Sequence, residues 1–229
     1  YLYKGKAYRR SNTASLEVNQ AELKQLVLQG SNLHFEELAC GRENLTFQEL
    51  SNKLMEKMDI CVVSEDILRT LGLFTKDRKF NNAAALLADE NDFYGIDIAR
   101  FGNSINEIMD RETISGTSVL KQYNSALAMI RRYYQYEEIS EIERKKVDLI
   151  PENAYREAVA NALIHRDWSM NSHIRISLFP DKIEIKSPGG LPRGITAEEY
   201  MRGDISCLRN PVLGNVFFRM HYIEMFGTG

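Results

Sequence analysis

The sequence predicts an α+β fold in two unequal parts, and three observations carry that prediction. Residues 151–229 read as a helix, a β-hairpin, a glycine-rich loop and further helices, an order that suits helices segregated against a small sheet. The residues before them mix capped amphipathic helices with short alternating strands. All five prolines (151, 180, 188, 192 and 211) fall after residue 150, which marks a shift in composition.

Each element has its own signal. "YLYKGKAYRR" at the start alternates and reads as a strand. "NQAELKQLVLQG" carries Asn19 and Glu22 as a capping-box pair and Gly30 as a stop, hence a helix. "TFQELSNKLMEKM" repeats that signal with Thr46 and Glu49, "SEDILRTLG" is a shorter helix ending at Gly72, and "NNAAALLADE" is another. "YGIDIARF" reads as a strand with Ile96 and Ile98 on one face. Leu120, Tyr123, Leu127, Ile130 and Tyr134 recur at helical intervals in "SVLKQYNSALAMIRRYYQY", the longest amphipathic helix of this half. The charged run Glu137–Pro151 reads as a solvated linker or helix end.

Pro151 then suits a first helical turn, and the helix should reach about Arg166. "HIRISLF" and "KIEIKS" alternate strictly around a Pro180–Asp181 turn. After the loop "PGGLPRG", Thr196 and Glu199 form a capping box, and Asn210 with Pro211 opens the last helix.

Composition bounds the function. With 229 residues, 44% hydrophobic and 27% charged, the chain can bury a real core and reads as a soluble globular protein. A net charge of −3 excludes a global basic field, so any nucleic-acid contact must rest on a local patch. Cys40, Cys61 and Cys207 are widely spaced and form no metal pattern with the histidines, which suits a reducing, cytoplasmic setting. No apolar run approaches the roughly 18–20 residues that span a bilayer, so no membrane partner is expected. Both ends read as cut from a longer protein.

The residues that carry chemistry lie in "YREAVANALIHRDW". Glu157, Asn161 and His165 repeat every four positions and share one helical face. "HRD" at His165–Asp167 invites a kinase reading, but that catalytic loop needs Asn five residues after the Asp, and Asn171 is four away. Together with "SPGGLP", Ser187 to Pro192, the Glu157/Asn161 pair offers a carboxylate to orient water, an amide oxygen for Mg²⁺, and glycines that let backbone approach phosphate. On spacing alone two readings stand. The residues either line a nucleotide site, or cap neighbouring loops while the glycines simply turn the chain.

"AYREAVANALIHRDW", "IRISLFPDKIEIKSPGGLPRGIT" and "RNPVLGNVFFRMHYIEMFGTG" resemble the ATP-binding domain of bacterial schlafen-like transcriptional regulators, a group that also goes under divergent AAA, Alba-type and helicase-related names. That module is similar to the GHKL superfamily of gyrase, histidine kinases and MutL. Upstream, "KGKAYRRSNTASLEVNQAELKQLVLQG" looks like the end of the schlafen-like Alba domain, and residues 80–122 resemble the family's connecting region. The resemblance therefore implies a partial Alba domain over residues 1–60, a connector over 61–145, and a GHKL-like ATP-binding domain, half of an α/β sandwich, over 146–229. It implies Glu157 as the general base and Asn161 as the Mg²⁺ ligand, with ATP and Mg as cofactors. "SPGGLP", with Ser187, Gly189 and Gly190, would replace the adenine-reading loop, and Gly227 to Gly229 would begin the glycine box around the triphosphate. One departure matters: Ser187 and Pro188 stand where that loop carries its adenine-reading Asp.

Lys4, Lys6, Arg9 and Arg10, interleaved with Tyr1, Tyr3 and Tyr8, form the candidate nucleic-acid patch; the alternative is an edge strand protected by charge. Trp168 reads as a packing anchor, and His165 as a tie from the helix end to the hairpin. The leading expectation is a cytoplasmic, DNA-binding transcriptional regulator whose degenerate GHKL-like domain binds a nucleotide or other ligand. The alternatives are an active Mg-dependent ATPase using Glu157, and a homodimeric scaffold with a vestigial pocket.

Overall fold

The computed structural model describes residues 2–3, 6–11, 14–19, 22–23, 26–27, 30, 33–60, 62–139, 144–191, 196–202 and 208–223. The first stretch, expected as one strand, supplies two: β1 (Leu2–Tyr3) and β2 (Lys6–Ser11) pair antiparallel, and β3 (Ala14–Glu17) joins β2 on its other side. Glu22, Leu23, Leu26, Val27 and Gly30 are helical, and the Glu22 N–H donates to Asn19 Oδ1 at 2.9 Å, as the capping pattern predicts. Gly30 is itself helical, and the residues just after it lie outside the described residues.

α1 (Gln48–Met58) turns the buried Leu50 and Leu54 inward. Its N-terminus differs from the expected Thr46/Glu49 box. The Asp89 carboxylate accepts from Gln48 N at 2.8 Å and Glu49 N at 2.9 Å, so a distant acid satisfies the orphan donors. α2 (Glu65–Thr70) and α3 (Asn82–Leu87) start where expected: Ser64 accepts from Ile67 N at 3.4 Å, and Asn81 accepts from Ala84 N at 3.0 Å.

Four strands form the central sheet in the order β5-β4-β8-β9. β4 (Ile96–Phe101) pairs antiparallel with β5 (Ile108–Ile114) and parallel with β8 (Ile174–Leu178), and β9 (Ile183–Lys186) completes the hairpin with β8. The regions 61–145 and 146–229 thus each give two neighbouring strands to one sheet. β5 escaped the sequence reading because it is an edge strand whose residues are mostly exposed, so no apolar alternation betrays it. α4 (Val119–Tyr134) and α5 (Glu152–Ile164) cross between the parallel strands.

The buried core joins Ile96, Ile98, Ile174, Ile176 and Leu178 of the sheet to Leu120, Tyr123, Leu127 and Ile130 of α4 and Val159 and Leu163 of α5. The pairing register sets Asp97, Arg175 and Ser177 on the opposite, polar face, where Arg111 grips Asp97 at 2.7 Å.

The charged run expected as a linker or helix end is in fact a ribbon. β6 (Gln135–Ile139) and β7 (Arg144–Asp148) pair antiparallel, with Glu137 opposite Lys146 and Glu138 opposite Lys145. Opposite charges directly across a strand pair favour this pairing, a pattern invisible to a count of charges along the chain. α6 (Ala197–Arg202) carries the expected Thr196/Glu199 box, with Thr196 N donating to Glu199 Oε2 at 2.8 Å and Glu199 N to Thr196 Oγ1 at 3.2 Å. α7 (Pro211–Arg219) closes the described chain. The architecture is mixed α and β, and among the described residues no helix is long and apolar enough to cross a membrane.

Candidate functional site

Helix α5 divides as its periodicity predicts. Tyr155, Val159, Ala160, Leu163 and Ile164 are buried, while Glu157 and His165 are exposed and Asn161 is half-buried on the outer face. Among the described residues, the Glu157 carboxylate and the Asn161 amide have no hydrogen-bond or ionic partner. Among the described residues neither side chain caps a neighbouring loop. The helix backbone closes normally at its end, with His165 N donating to Asn161 O at 2.9 Å.

The glycine-rich loop is fastened across the end of this helix. Ser187 Oγ donates to Ala162 O at 2.7 Å, and Asp167 N donates to Pro188 O at 2.9 Å. Gly189 has φ +119°, a conformation closed to ordinary L-residues. A Cβ there would collide with Arg209 Nη1 and stand 3.0 Å from Asp167 Cβ. At Gly190 a Cβ would meet nothing within 4 Å, so this backbone faces open space. Arg209 Nη2 donates to Gly190 O at 2.6 Å while its Nη1 lies 3.8 Å from Asp167 Oδ2.

His165 does not tie the helix to the hairpin, as the sequence suggested; Ser187 and Asp167 do. Desolvation by the surrounding protein and the nearby Arg209 guanidinium hold the His165 imidazole below its ordinary value, which favours the neutral ring. Trp168 is the expected anchor: it is buried, and its indole N–H donates to Leu163 O at 3.1 Å. Beneath it lies Arg166, a buried guanidinium whose ring contact with Trp168 is 4.2 Å from the centroid. Arg166 donates to the carbonyls of Tyr94, Gly95, Met170 and Ser172, and so bolts the end of α5 to the start of β4 and the turn before β8.

Asn210 does not cap α7 with its side chain. Its amide donates instead to Ile164 O and Arg166 O, both at 2.8 Å. The α7 amides are met by Glu36, which accepts from Val212 N at 2.5 Å and Leu213 N at 3.0 Å. Burial pushes the Glu36 carboxyl up to about 7 against the pull of those two bonds. Gly227, Gly229 and Lys4 lie outside the described residues. On β2, Lys6 is paired with Glu17 at 2.9 Å and Arg10 is exposed, while the Arg9 side chain lies outside what is described.

Residues 171–229 match the family model described as "Putative ATP-dependent DNA helicase recG C-terminal". The match takes in the hairpin, the glycine loop, α6 and α7, and it begins after α5, so Glu157 and Asn161 stand outside it. Among solved structures, the DIP2311 protein from Corynebacterium diphtheriae is similar in fold, with a TM-score of 0.69 and 21% identity over 96% of this chain. The chain spans 46% of that protein's length. No curated protein matches the chain.

Sequence reading missed Arg209 and Glu36, met Asp167 only as part of a rejected kinase motif, and took Asn210 as a cap. Asp167 was visible within "HRD" and Arg209 just before the Asn210 start signal. Glu36 gave none, because its partner helix lies 176 residues away.

Proposed function

We propose that the C-terminal part of this chain binds a nucleotide between the outer face of α5 and the Ser187–Leu191 loop. One observation supports the reading: among the described residues the Glu157 and Asn161 side chains are without partners, on the helix whose Ala162 carbonyl fastens the glycine loop through Ser187, and the chain runs on from there into the helicase-related match. The residues suit ATP and Mg in kind. Among the described residues no group of three or more His, Cys, Asp or Glu could hold a metal unaided. Mg²⁺ commonly binds through one or two protein oxygens plus substrate phosphates, and Asn161 offers such an oxygen. Bound Mg²⁺ would supply charge neutralisation on the phosphates. Asn161 would hold the ion, the glycines would admit phosphate or base against backbone, and Glu157 would orient water and accept its proton if turnover occurs.

We place this domain in a DNA-associated regulator, where Lys6, Arg9 and Arg10 would contact phosphate; the exposure of Arg10 supports that role. Calorimetric titration of Mg-ATP tests the nucleotide reading. Asn161→Ala should weaken binding by at least about tenfold, roughly the loss of one good metal or phosphate contact. An absence of heat with the unaltered chain would remove the reading. Phosphate release that persists in Glu157→Gln would remove the hydrolytic version alone.

A further inference from the structure

Within the site proposed above, we infer that Arg209 is the positioning residue of the glycine loop, and that the distant segment His34–Glu36 sets Arg209. The inference depends on the nucleotide reading only for what the loop binds.

The Arg209 guanidinium donates to Gly190 O at 2.6 Å and faces Asp167 across 3.8 Å, and the Asp167 N–H holds Pro188 O at 2.9 Å. Both limbs of the bend at Gly189 are thereby gripped from one side. The φ of +119° at Gly189 makes room for the guanidinium, which lies where a Cβ would be. Gly189 and Gly190 have no side chains with which to hold the bend themselves, so an external clamp decides their order.

The clamp is itself held. Asn210 ties the same turn to the end of α5 through Ile164 O and Arg166 O. His34 Nδ1 donates to Arg209 O at 3.1 Å, since a carbonyl can only accept, which fixes the proton on that nitrogen. Glu36, fully buried, closes the N-terminus of α7 through Val212 N and Leu213 N. A carboxylate on the first amides of a helix is favoured by both hydrogen bonding and the helix dipole. Withdrawing residues 34–36 would strip the Arg209 carbonyl and the first turn of α7 together, and so release the backbone that carries the guanidinium gripping the loop. The N-terminal segment therefore controls how ordered the loop is before ligand arrives, and ordering that loop on binding would otherwise reduce affinity.

Amide hydrogen exchange over residues 187–191 reads this directly, in the unaltered 229-residue chain and in Arg209→Met, Arg209→Lys and Glu36→Gln. Arg209→Met should speed exchange in the loop on the order of tenfold, with Arg209→Lys retaining part of the protection. Glu36→Gln should speed the same peptide by a smaller factor, because the amide keeps one neutral acceptor oxygen where Glu36 uses two, one on each N–H. Unchanged loop exchange in Arg209→Met or in Glu36→Gln overturns the inference. An equal rise throughout α5 and β8 also overturns it, by assigning the effect to global stability. Mg-ATP titration of the same proteins keeps the two claims apart. If the unaltered chain binds, Arg209→Met should weaken it. If it does not bind, the nucleotide reading fails while the exchange data still decide the clamp.

Discussion

Replacing Arg166 by Met tests the junction on which the site is built. The side chain is buried and donates to Gly95 O at 3.2 Å, Ser172 O at 2.5 Å, the Tyr94 carbonyl, and Met170 O at a marginal 3.4 Å. Methionine fills much of the volume but donates nothing. Three well-placed carbonyls left dry cost about 2 kcal/mol each, and loss of the contact with Trp168 adds about 1 kcal/mol. The native arrangement already carries an offsetting penalty. Burial brings the Arg166 guanidinium down to about 10, a depression that corresponds to roughly 3 kcal/mol of disfavoured charge. Removing the charge returns that amount, so the net loss should be roughly 4 kcal/mol, or about 8–16 °C in melting temperature for a chain of this size. Thermal and urea unfolding followed by circular dichroism would measure it, with Arg166→Lys expected to lose about half as much. A Met variant within about 0.5 kcal/mol of the parent would refute the accounting, and a stabilised one would show that desolvation outweighs the four carbonyl contacts.

Three further outcomes are expected. Gly189→Ala should destabilise by about 1–3 kcal/mol, from a positive φ and a displaced Arg209; an unchanged melt would mean that the bend relaxes freely. Glu36 carries a folded pKa of about 7, above the ordinary carboxyl value, so its folded form holds the proton more tightly. Relative to Glu36→Gln, stability should be greatest below about pH 4.5 and be lost as pH rises through about 7, by roughly 3 kcal/mol. Comparison with Glu36→Gln isolates this one carboxyl, so parallel stability–pH curves would contradict the assignment. Lys145→Glu with Lys146→Glu puts like charges opposite Glu138 and Glu137. That pair should lose about 1 kcal/mol in dilute buffer and much less in 1 M salt, and salt-independent loss would count against the ribbon.

What could be read from the sequence follows the range of the forces involved. Ser64, Asn81 and the Thr196/Glu199 box act over three residues, and each stands where its local pattern put it. The outer stripe of α5 likewise follows from helical period alone. Asp89 on α1 and Glu36 on α7 replace local caps by acids about 40 and 176 residues away, and no local pattern encodes them. The ribbon of β6 and β7 fails for a related reason: its stabilising pairs run across strands, whereas a run of charges along the chain looks like solvated coil. At the proposed site, candidates could be named from the sequence but the groups that hold them could not. Spacing singles out Glu157, Asn161 and the glycines and leaves two readings of them, whereas Arg209 becomes meaningful only when the fold sets its guanidinium on Gly190 O.

On the nucleotide reading, Ser187 stands where a base-reading aspartate is expected, and its hydroxyl has a definite direction. Its hydroxyl proton is directed to Ala162 O at 2.7 Å, so what Ser187 can still present to a ligand is an acceptor, as an aspartate would. The difference is charge. A neutral acceptor contributes about 1 kcal/mol in a net exchange with water, against about 1.5–3 kcal/mol for an ionised one. Fixing the hydroxyl to the helix also keeps the loop in place without a carboxylate whose burial would need compensation. On the nucleotide reading, the site should therefore hold a base weakly and distinguish bases poorly, leaving affinity to the phosphates, Asn161 and the open Gly190 backbone. ATP and GTP titrated side by side with Mg²⁺ should differ by less than about tenfold. A larger preference for ATP would mean that some group other than Ser187 reads the adenine edge, and Asp167, packed against Gly189 on the neighbouring turn, would be the first to replace.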